Sequence, residues 1–351
     1  MPSIPWEHYP YVAQWPPARA WLELQAKLGL SLRTLTAYGR SANDFLAFCQ
    51  STGSAVEAAT RADIAAYVDD MRQRPNPTRG ATGRSLSSGV GLAHRTMRLR
   101  ITVARLLYEY LIDEGIRVDP INPVGKGSYT PGWLFTGKRE RAILPHYETV
   151  PWIPGDDEWE RIVGAAAEEP IRNRLMLLLA YDGALRRSEL VALEVRDIAF
   201  PHQQVTIRPE TAKNGAGRVV MYGDTTRVLL QRYMDQRADA GITGGVLLRS
   251  ESNRNRSAGI TPDAWDKVVA RIAQRAGLTH RFTTHTTRHL RLTDLARAGL
   301  EINRIAQYAG HRSIETTKLY ITLSGRETAE HVRLRLQDLD RRLAHLCEGA
   351  S

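Results

Sequence analysis

The feature that most constrains this chain is a run of prolines and glycines between residues 119 and 157. Pro120, Pro123, Gly125, Gly127, Pro131, Gly132, Gly137, Pro145, Pro151, Pro154 and Gly155 punctuate it. Proline lacks the N–H that a helix or sheet ladder needs, and glycine loses the most backbone freedom on ordering, so no regular element propagates through such a run. Helical patterning resumes on both sides. The sequence therefore predicts two folded bodies joined by a linker at 119–157, and 351 residues suffice for two cores. Lys126, Lys138, Arg139 and Arg141 charge this stretch, and a connection so long reads as functional rather than idle.

Residues 1–16 read as an irregular tail, and residues 17–118 as a helical domain. Helices are expected over about 18–28, 31–50, 61–71 and 92–113. In the second, Leu35, Tyr38, Ala42, Phe45 and Cys49 recur at alternating spacings of 3 and 4, which is one helical face. Cys49 serves there as a small apolar residue. Thr60 reads as the cap of the third, with Asp63 near its positive end. In the fourth, Met97, Ile101, Ala104, Tyr108 and Leu111 form a core stripe. Arg95, Arg98, Thr102 and Arg105 fall on another side, a basic stripe that is either a solvated surface or a phosphate-contacting face.

Residues 158–325 form the second domain. Helical patterns cover about 157–167, 171–181, 224–238, 262–276, 286–299, 301–309 and 313–322. Two short β-type runs, 203–208 and 218–222, flank Ala212-Lys213-Asn214-Gly215-Ala216-Gly217, a hairpin signal. A basic, mostly helical tail occupies 326–351. The fold class expected is mainly α, with a small β-hairpin or sheet in the second domain.

Lys and Arg total 48 against 38 Asp and Glu, a net charge of +10 that favours a polyanionic partner. Nucleic acid is the first candidate and an acidic membrane surface the second. No apolar run approaches the roughly 20 residues of a spanning helix, and the N-terminus has no signal-peptide pattern. Cys49 and Cys347 are too few and too far apart for a disulfide framework or zinc site. The expected location is the cell interior, with no membrane partner.

Several polar residues stand where core packing does not require them. Arg186 and Glu189 are three apart, so they are expected to share a helix face and can pair. Lys213 sits toward the hairpin tip. His285 and Arg288 are likewise three apart. His285 and His289 have the i, i+4 spacing of a metal pair, but no Glu follows His285 and no third ligand is near, so no metal is expected. Gly310 reads as a helix C-terminus and Ser313 as the next N-cap, which puts His311 in the turn between. Tyr320 follows nine residues after His311. Each signal alone has a bland explanation: a surface ion pair, a solvated turn, a packed tyrosine.

In this order they are specific. Arg, hairpin Lys, His-x-x-Arg, Gly-His and Tyr resemble the catalytic domain of the tyrosine recombinases, the phage-integrase family of site-specific recombinases. Ala184-Leu185-Arg186-Arg187-Ser188-Glu189-Leu190 with Leu193 and Asp197 is similar to its first-arginine motif, and Ala309-Gly310-His311-Arg312-Ser313 with Thr316, Thr317 and Tyr320 to its C-terminal motif. The resemblance covers about residues 160–325. Thr34, Tyr38 and Phe45 resemble the smaller core-binding domain more loosely.

The resemblance implies a two-domain clamp on double-stranded DNA at specific recombination sites. Tyr320 is implied as the nucleophile, leaving a 3′-phosphotyrosine link and a free 5′-hydroxyl. Fixed cations stabilise the charge that builds on phosphate oxygens. Arg186 and Arg288 would clamp those oxygens, His311 would add a hydrogen bond, His285 is the candidate general base, and Lys213 would protonate the leaving 5′-oxygen. The link conserves the bond energy, so neither ATP, metal nor any cofactor is implied. A homotetramer on two sites is implied, with the tail beyond Gly325 docking on a neighbouring protomer, in service of a mobile element. The sequence does not specify accessory proteins.

The family commonly has Gly two residues before its first arginine, whereas Gly183 here is three before Arg186, so Arg187 stays a rival for that role. A type IB topoisomerase would use similar chemistry, and a non-catalytic DNA-binding protein could share the fold without needing Tyr320.

Overall fold

The computed structural model describes residues 4–75, 90–125, 151–213, 215–252 and 258–320. Contacts divide the chain into two units, Met1–Glu148 and Thr149–Ser351. No described helix is long and apolar enough to cross a membrane.

The first unit is helical. It contains α1 (Pro10–Gln14), α2 (Pro16–Lys27), α3 (Leu32–Thr52), α4 (Arg61–Gln73) and α5 (His94–Asp113). Leu35, Ala42, Phe45 and Cys49 of α3 are buried, as are Met97, Ile101, Ala104, Tyr108 and Leu111 of α5, and these two helices pack together. Phe45 meets Tyr67 and Tyr108 edge-on at 5.1 and 5.8 Å. Burial pushes the Cys49 thiol up to about 12, as befits a packing residue rather than a reactive one. Thr60 and Asp63 form a reciprocal capping box at the start of α4.

Of the tail expected at 1–16, the described residues 4–16 are instead built into this core. A turn of 3-10 helix, Trp6–His8, leads into α1. Tyr9 and Val12 are buried, and Asn43 Oδ1 accepts from the Tyr11 N–H at 2.9 Å. The ring of Tyr9 lies so close to α3 that a Cβ at Gly39 would meet it at 2.8 Å. A five-residue helix shows no periodicity, which is why pattern reading missed it.

The ends of the expected linker are also packed. Val124 joins the first core, Trp152 stacks on His280 at 4.8 Å, and residues 126–150 lie outside the described set.

The second unit begins with α6 (Asp156–Ala167) and α7 (Ile171–Asp182). Arg172, Asn173, Leu175, Met176, Leu177, Leu179 and Ala180 are all buried, so α7 is covered nearly all round and serves as the central helix. It packs against both α9 (Asp224–Asp239) and α11 (Thr284–Arg297). Between α7 and α9 along the chain come α8 (Arg187–Val191) and an antiparallel sheet, β1 (Ile198–Ala199), β2 (Gln204–Ile207) and β3 (Arg218–Met221), in the order β1-β2-β3. Val205 pairs with Val220 and Ile207 with Arg218, which sets the hairpin register. The strand β1 is too short to register as a pattern. The helices α10 (Pro262–Arg275) and α12 (Ile302–Ala309) complete the unit, and residues 315–320 are helical. The tail expected at 326–351 lies outside the described residues.

Candidate active site

The site is assembled from the α7–α8 connection, β3, α11 and the turn after α12. Arg288 is its centre. It is 1% exposed, on the inner face of α11. Its Nη1 donates to the Ala184 carbonyl at 2.6 Å, and its Nη2 to the Ala309 carbonyl at 2.5 Å. The same Nη2 lies 3.0 Å from His311 Nε2. Burial first, and then the Arg186 charge, push Arg288 down to about 10, so it stays a cation at neutral pH.

Because a guanidinium can only donate, Nε2 of His311 must accept. His311 Nδ1 is then the protonated nitrogen, and it donates to Thr317 Oγ1 at 2.9 Å. The turn that carries His311 is set by Gly310, which ends α12 at φ 63°, a left-handed conformation suited to glycine. The hydrogen bond expected from His311 to phosphate thus requires Nε2 to be released from Arg288 and protonated.

Arg186 was expected on a helix face with Glu189. It is instead the N-cap of α8. The Glu189 carboxylate accepts from the Arg186 backbone N–H at 2.9 Å and from its Nη1 at 2.7 Å, and Arg186 Nη2 reaches the Gly310 carbonyl at 3.1 Å. Arg187 points elsewhere and pairs with Asp266. The residue two before Arg186, where the family commonly has glycine, is Ala184 at φ 46°. The left-handed turn is therefore kept without the glycine, at some strain, and its carbonyl receives Arg288. Gly183 is constrained for a different reason, since a Cβ there would meet Leu185 and Val220 at 2.9 Å.

Sequence reading missed Arg218. Its two terminal nitrogens grip both Glu189 oxygens, at 3.0 and 2.7 Å. Burial alone would raise the Glu189 carboxyl, but the bonds and charge of Arg218, and then Arg186, hold it at about 2. Arg186, Arg218 and Arg288 against Glu189 leave two positive charges at the site, matched to a phosphodiester gaining charge in its transition state.

Tyr320 is 2% exposed, packed with Ala184, Leu292, Ile305 and Ala309. Burial pushes its phenol up, and Arg288 and Arg186 oppose that. Two imidazoles flank its ring: His311, nearly parallel at 6.1 Å, and His289, tilted at 5.6 Å. His285, the expected base, is exposed in the first turn of α11, its ring 4.2 Å from that of His289. Of the two α11 histidines, the one next to the tyrosine ring is therefore His289, whose buried Nδ1 has no partner among the described residues. The His-x-x-Arg-His string held this signal, since a residue one past Arg288 faces the same cluster.

Lys213 is exposed on the β2–β3 connection and is not drawn into the hydrogen-bonded cluster. Of the arginines on α5, Arg95 and Arg98 are exposed, whereas Arg105 Nε is committed to the Gly125 carbonyl at 3.0 Å. Among the described residues no three His, Cys, Asp or Glu side chains gather to hold a metal ion.

The flanking imidazoles make a pH prediction. Burial, followed by His285, Arg288 and His311, pushes His289 down to about 3, and burial, followed by Arg288, Arg186, Arg218 and His285, pushes His311 down to about 4. Both lie below the unfolded value, so the unfolded chain binds more protons between them. The stability they contribute is complete above pH 6.5 and falls as pH drops toward 4 and 3. Urea unfolding of the full chain should show a loss on the order of 1 to 2 kcal/mol for each ring by pH 5. A His289→Gln, His311→Gln chain should lose less, and an equal pH slope in the two proteins would refute the assignment.

Two family models match. Residues 155–327 match "Phage integrase family", and residues 20–115 match "Phage integrase, N-terminal SAM-like domain". The chain is 26% identical over 309 residues to the tyrosine recombinase XerD of Corynebacterium glutamicum, covering 86% of this chain and 92% of that protein. It is 27% identical over 309 residues to XerC of Pelobacter propionicus, covering 86% and 89%. Its fold is similar to that of the XerH site-specific recombinase bound to palindromic difH substrate in a post-cleavage complex. That match has a TM-score of 0.61 at 17% identity, over 86% of this chain and 80% of that one. It is also similar to the Tn1549 transposon integrase in complex with transposon right end DNA, with a TM-score of 0.59 at 15% identity, over 90% and 98%.

Proposed function

This chain belongs to the phage integrase family, and from that premise we propose that it is a site-specific DNA recombinase that cuts and rejoins strands through a 3′-phosphotyrosine at Tyr320. The observation that carries the reading is the Arg288 cluster. A fully buried guanidinium is tied to two backbone carbonyls and His311, beside Arg186 and a sequestered tyrosine. Burying a cation this deeply is unfavourable unless an anion repays it, and a DNA phosphate is such an anion.

In this mechanism Arg186 and Arg288 bind the non-bridging phosphate oxygens. Tyr320 Oη attacks phosphorus, its proton passes to an imidazole of the site, and the P–O5′ bond breaks. Lys213, on its exposed connection, protonates the leaving oxygen. Attack of a 5′-hydroxyl on the phosphotyrosine reverses the step and reseals a strand. Nothing is consumed, so the chain needs no ATP. Arg95 and Arg98 supply further backbone contacts from the first unit. The working form is a homotetramer on two sites, acting inside the cell on a mobile element.

Duplexes selected by the protein from a randomised pool, and inverted repeats beside its gene, supply candidate sites. A plasmid bearing two of them should yield deletion or inversion products. Relaxation of supercoils without exchanged products would replace this reading with a topoisomerase.

A further inference from the structure

We propose that Arg218 is a positioning residue of this site: it fixes the Glu189 carboxylate and thereby leaves the Arg186 guanidinium held in place yet available to phosphate. The inference rests on the DNA-cleaving reading above.

The geometry is unusually complete. The Arg218 side chain is 6% exposed and that of Glu189 fully buried. Oε1 of Glu189 accepts from Nη1 of both arginines, at 2.7 Å from Arg186 and 3.0 Å from Arg218. Oε2 accepts from the Arg186 backbone N–H at 2.9 Å and from Arg218 Nη2 at 2.7 Å. The remaining nitrogen, Nε of Arg218, donates to the Tyr308 carbonyl at 2.9 Å. Every side-chain nitrogen of Arg218 is thus committed to protein, whereas the Arg186 guanidinium donates through Nη1 and Nη2, with no acceptor for its Nε among the described residues.

Two consequences follow from charge and shape. A lone Glu189–Arg186 pair would neutralise Arg186 and compete with phosphate for it. Sharing the carboxylate between two guanidiniums leaves Arg186 net attraction for an incoming anion. Arg218 also lies against the turn that carries His311, where a Cβ on Gly310 would meet its Nη1 at 3.1 Å and its Cδ at 3.2 Å. It therefore braces the Gly310 carbonyl, the other ligand of Arg186. Arg218 opens β3, directly after the connection that holds Lys213, so one residue ties hairpin, first arginine and histidine turn together.

The test is single-turnover cleavage of a nicked duplex carrying the selected site, at saturating DNA, with parent, R218Q, R218K, E189Q and R218Q/E189Q full-length chains. For R218Q the rate constant should fall about 30- to 100-fold while the DNA Kd moves less than about 3-fold and the reaction still runs to full amplitude. R218K should recover part of the rate. The double variant should be no slower than the slower single one, because both act through one carboxylate. A merely structural ion pair would instead lower amplitude and melting temperature and leave the rate constant of the folded fraction unchanged. That result, or multiplying single effects, overturns the proposal. Should R218Q fail to fold, R218K decides, since a parental rate constant in it is equally fatal. Absence of any adduct from the parent would sink the recombinase reading itself, whereas a parental adduct with unaffected R218Q sinks this inference alone.

Discussion

The Tyr320→Phe chain is expected to bind its DNA site as the parent does and to form no covalent adduct. The ring of Tyr320 is buried between His289 and His311 and packed on Ala184, Leu292, Ile305 and Ala309. Phenylalanine keeps that ring and all its packing and removes one oxygen. Stability should therefore change by about 1 kcal/mol or less. The chemistry changes completely, because no other atom of the side chain can attack phosphorus. On a nicked substrate, whose released fragment prevents religation, the adduct should fall by roughly four orders of magnitude or more. Gel-shift affinity and circular dichroism, run on the same preparation, separate this from misfolding. An adduct that survives the change would place the nucleophile on another residue and leave Tyr320 a packing residue.

That such a prediction can be made from one tyrosine shows what the sequence made legible and what it did not. Among the described residues periodicity located each long helix, because helical packing imprints a 3.6-residue repeat on residues such as Leu35, Phe45, Met97 and Tyr108. It could not locate α1, since five residues make little more than one turn. The set Arg186, Arg288, His311 and Tyr320 was readable through its order and spacing, since the arginines and histidine stand where apolar packing gives no reason for them and Tyr320 follows His311 by nine residues. Arg218 was not, because an arginine at a strand end is ordinary, and its partner Glu189 lies 29 residues away along the chain. The strand register that brings them together is a tertiary fact. Similarly, the helical spacing of Arg186 and Glu189 suggested a shared face, whereas a capping box uses the same spacing with the first residue outside the helix. The Ala184 turn went unread because φ is not written in an alanine. The structure shows why a pattern that expects glycine can still be met there: the carbonyl of that residue, not its side chain, is what Arg288 needs.

Arg288→Lys is the second large effect expected. Lysine keeps the charge, so an account based on charge alone predicts a mild loss. The contacts predict otherwise. Arg288 spans the Ala184 and Ala309 carbonyls and His311 Nε2 with a rigid planar fork, and those acceptors arrive from two separate segments, the α7–α8 turn and the end of α12 with its following turn. A single ammonium on a flexible stem cannot occupy both arms of that fork and also face a phosphate. One of the buried carbonyls is then left unpaired, which costs about 1 to 3 kcal/mol. His311 also loses the donor that fixes its tautomer, and with it the Nδ1–H bond to Thr317 becomes one of two alternatives. Cleavage should fall by about 10²- to 10³-fold, the usual consequence of removing one preorganised donor to a developing oxyanion. Melting temperature should drop as well, and the DNA Kd should change far less than the rate. The pH dependence supplies a control that the charge account cannot mimic. If His311 is released from Arg288, its imidazole becomes easier to protonate, and the limb of the cleavage profile that reports its protonation should move to higher pH. An R288K chain with a parental rate and an unmoved profile would mean that Arg288 contributes only its charge. The tie it makes between α11, the α7–α8 turn and the histidine turn would then be structure without consequence for catalysis.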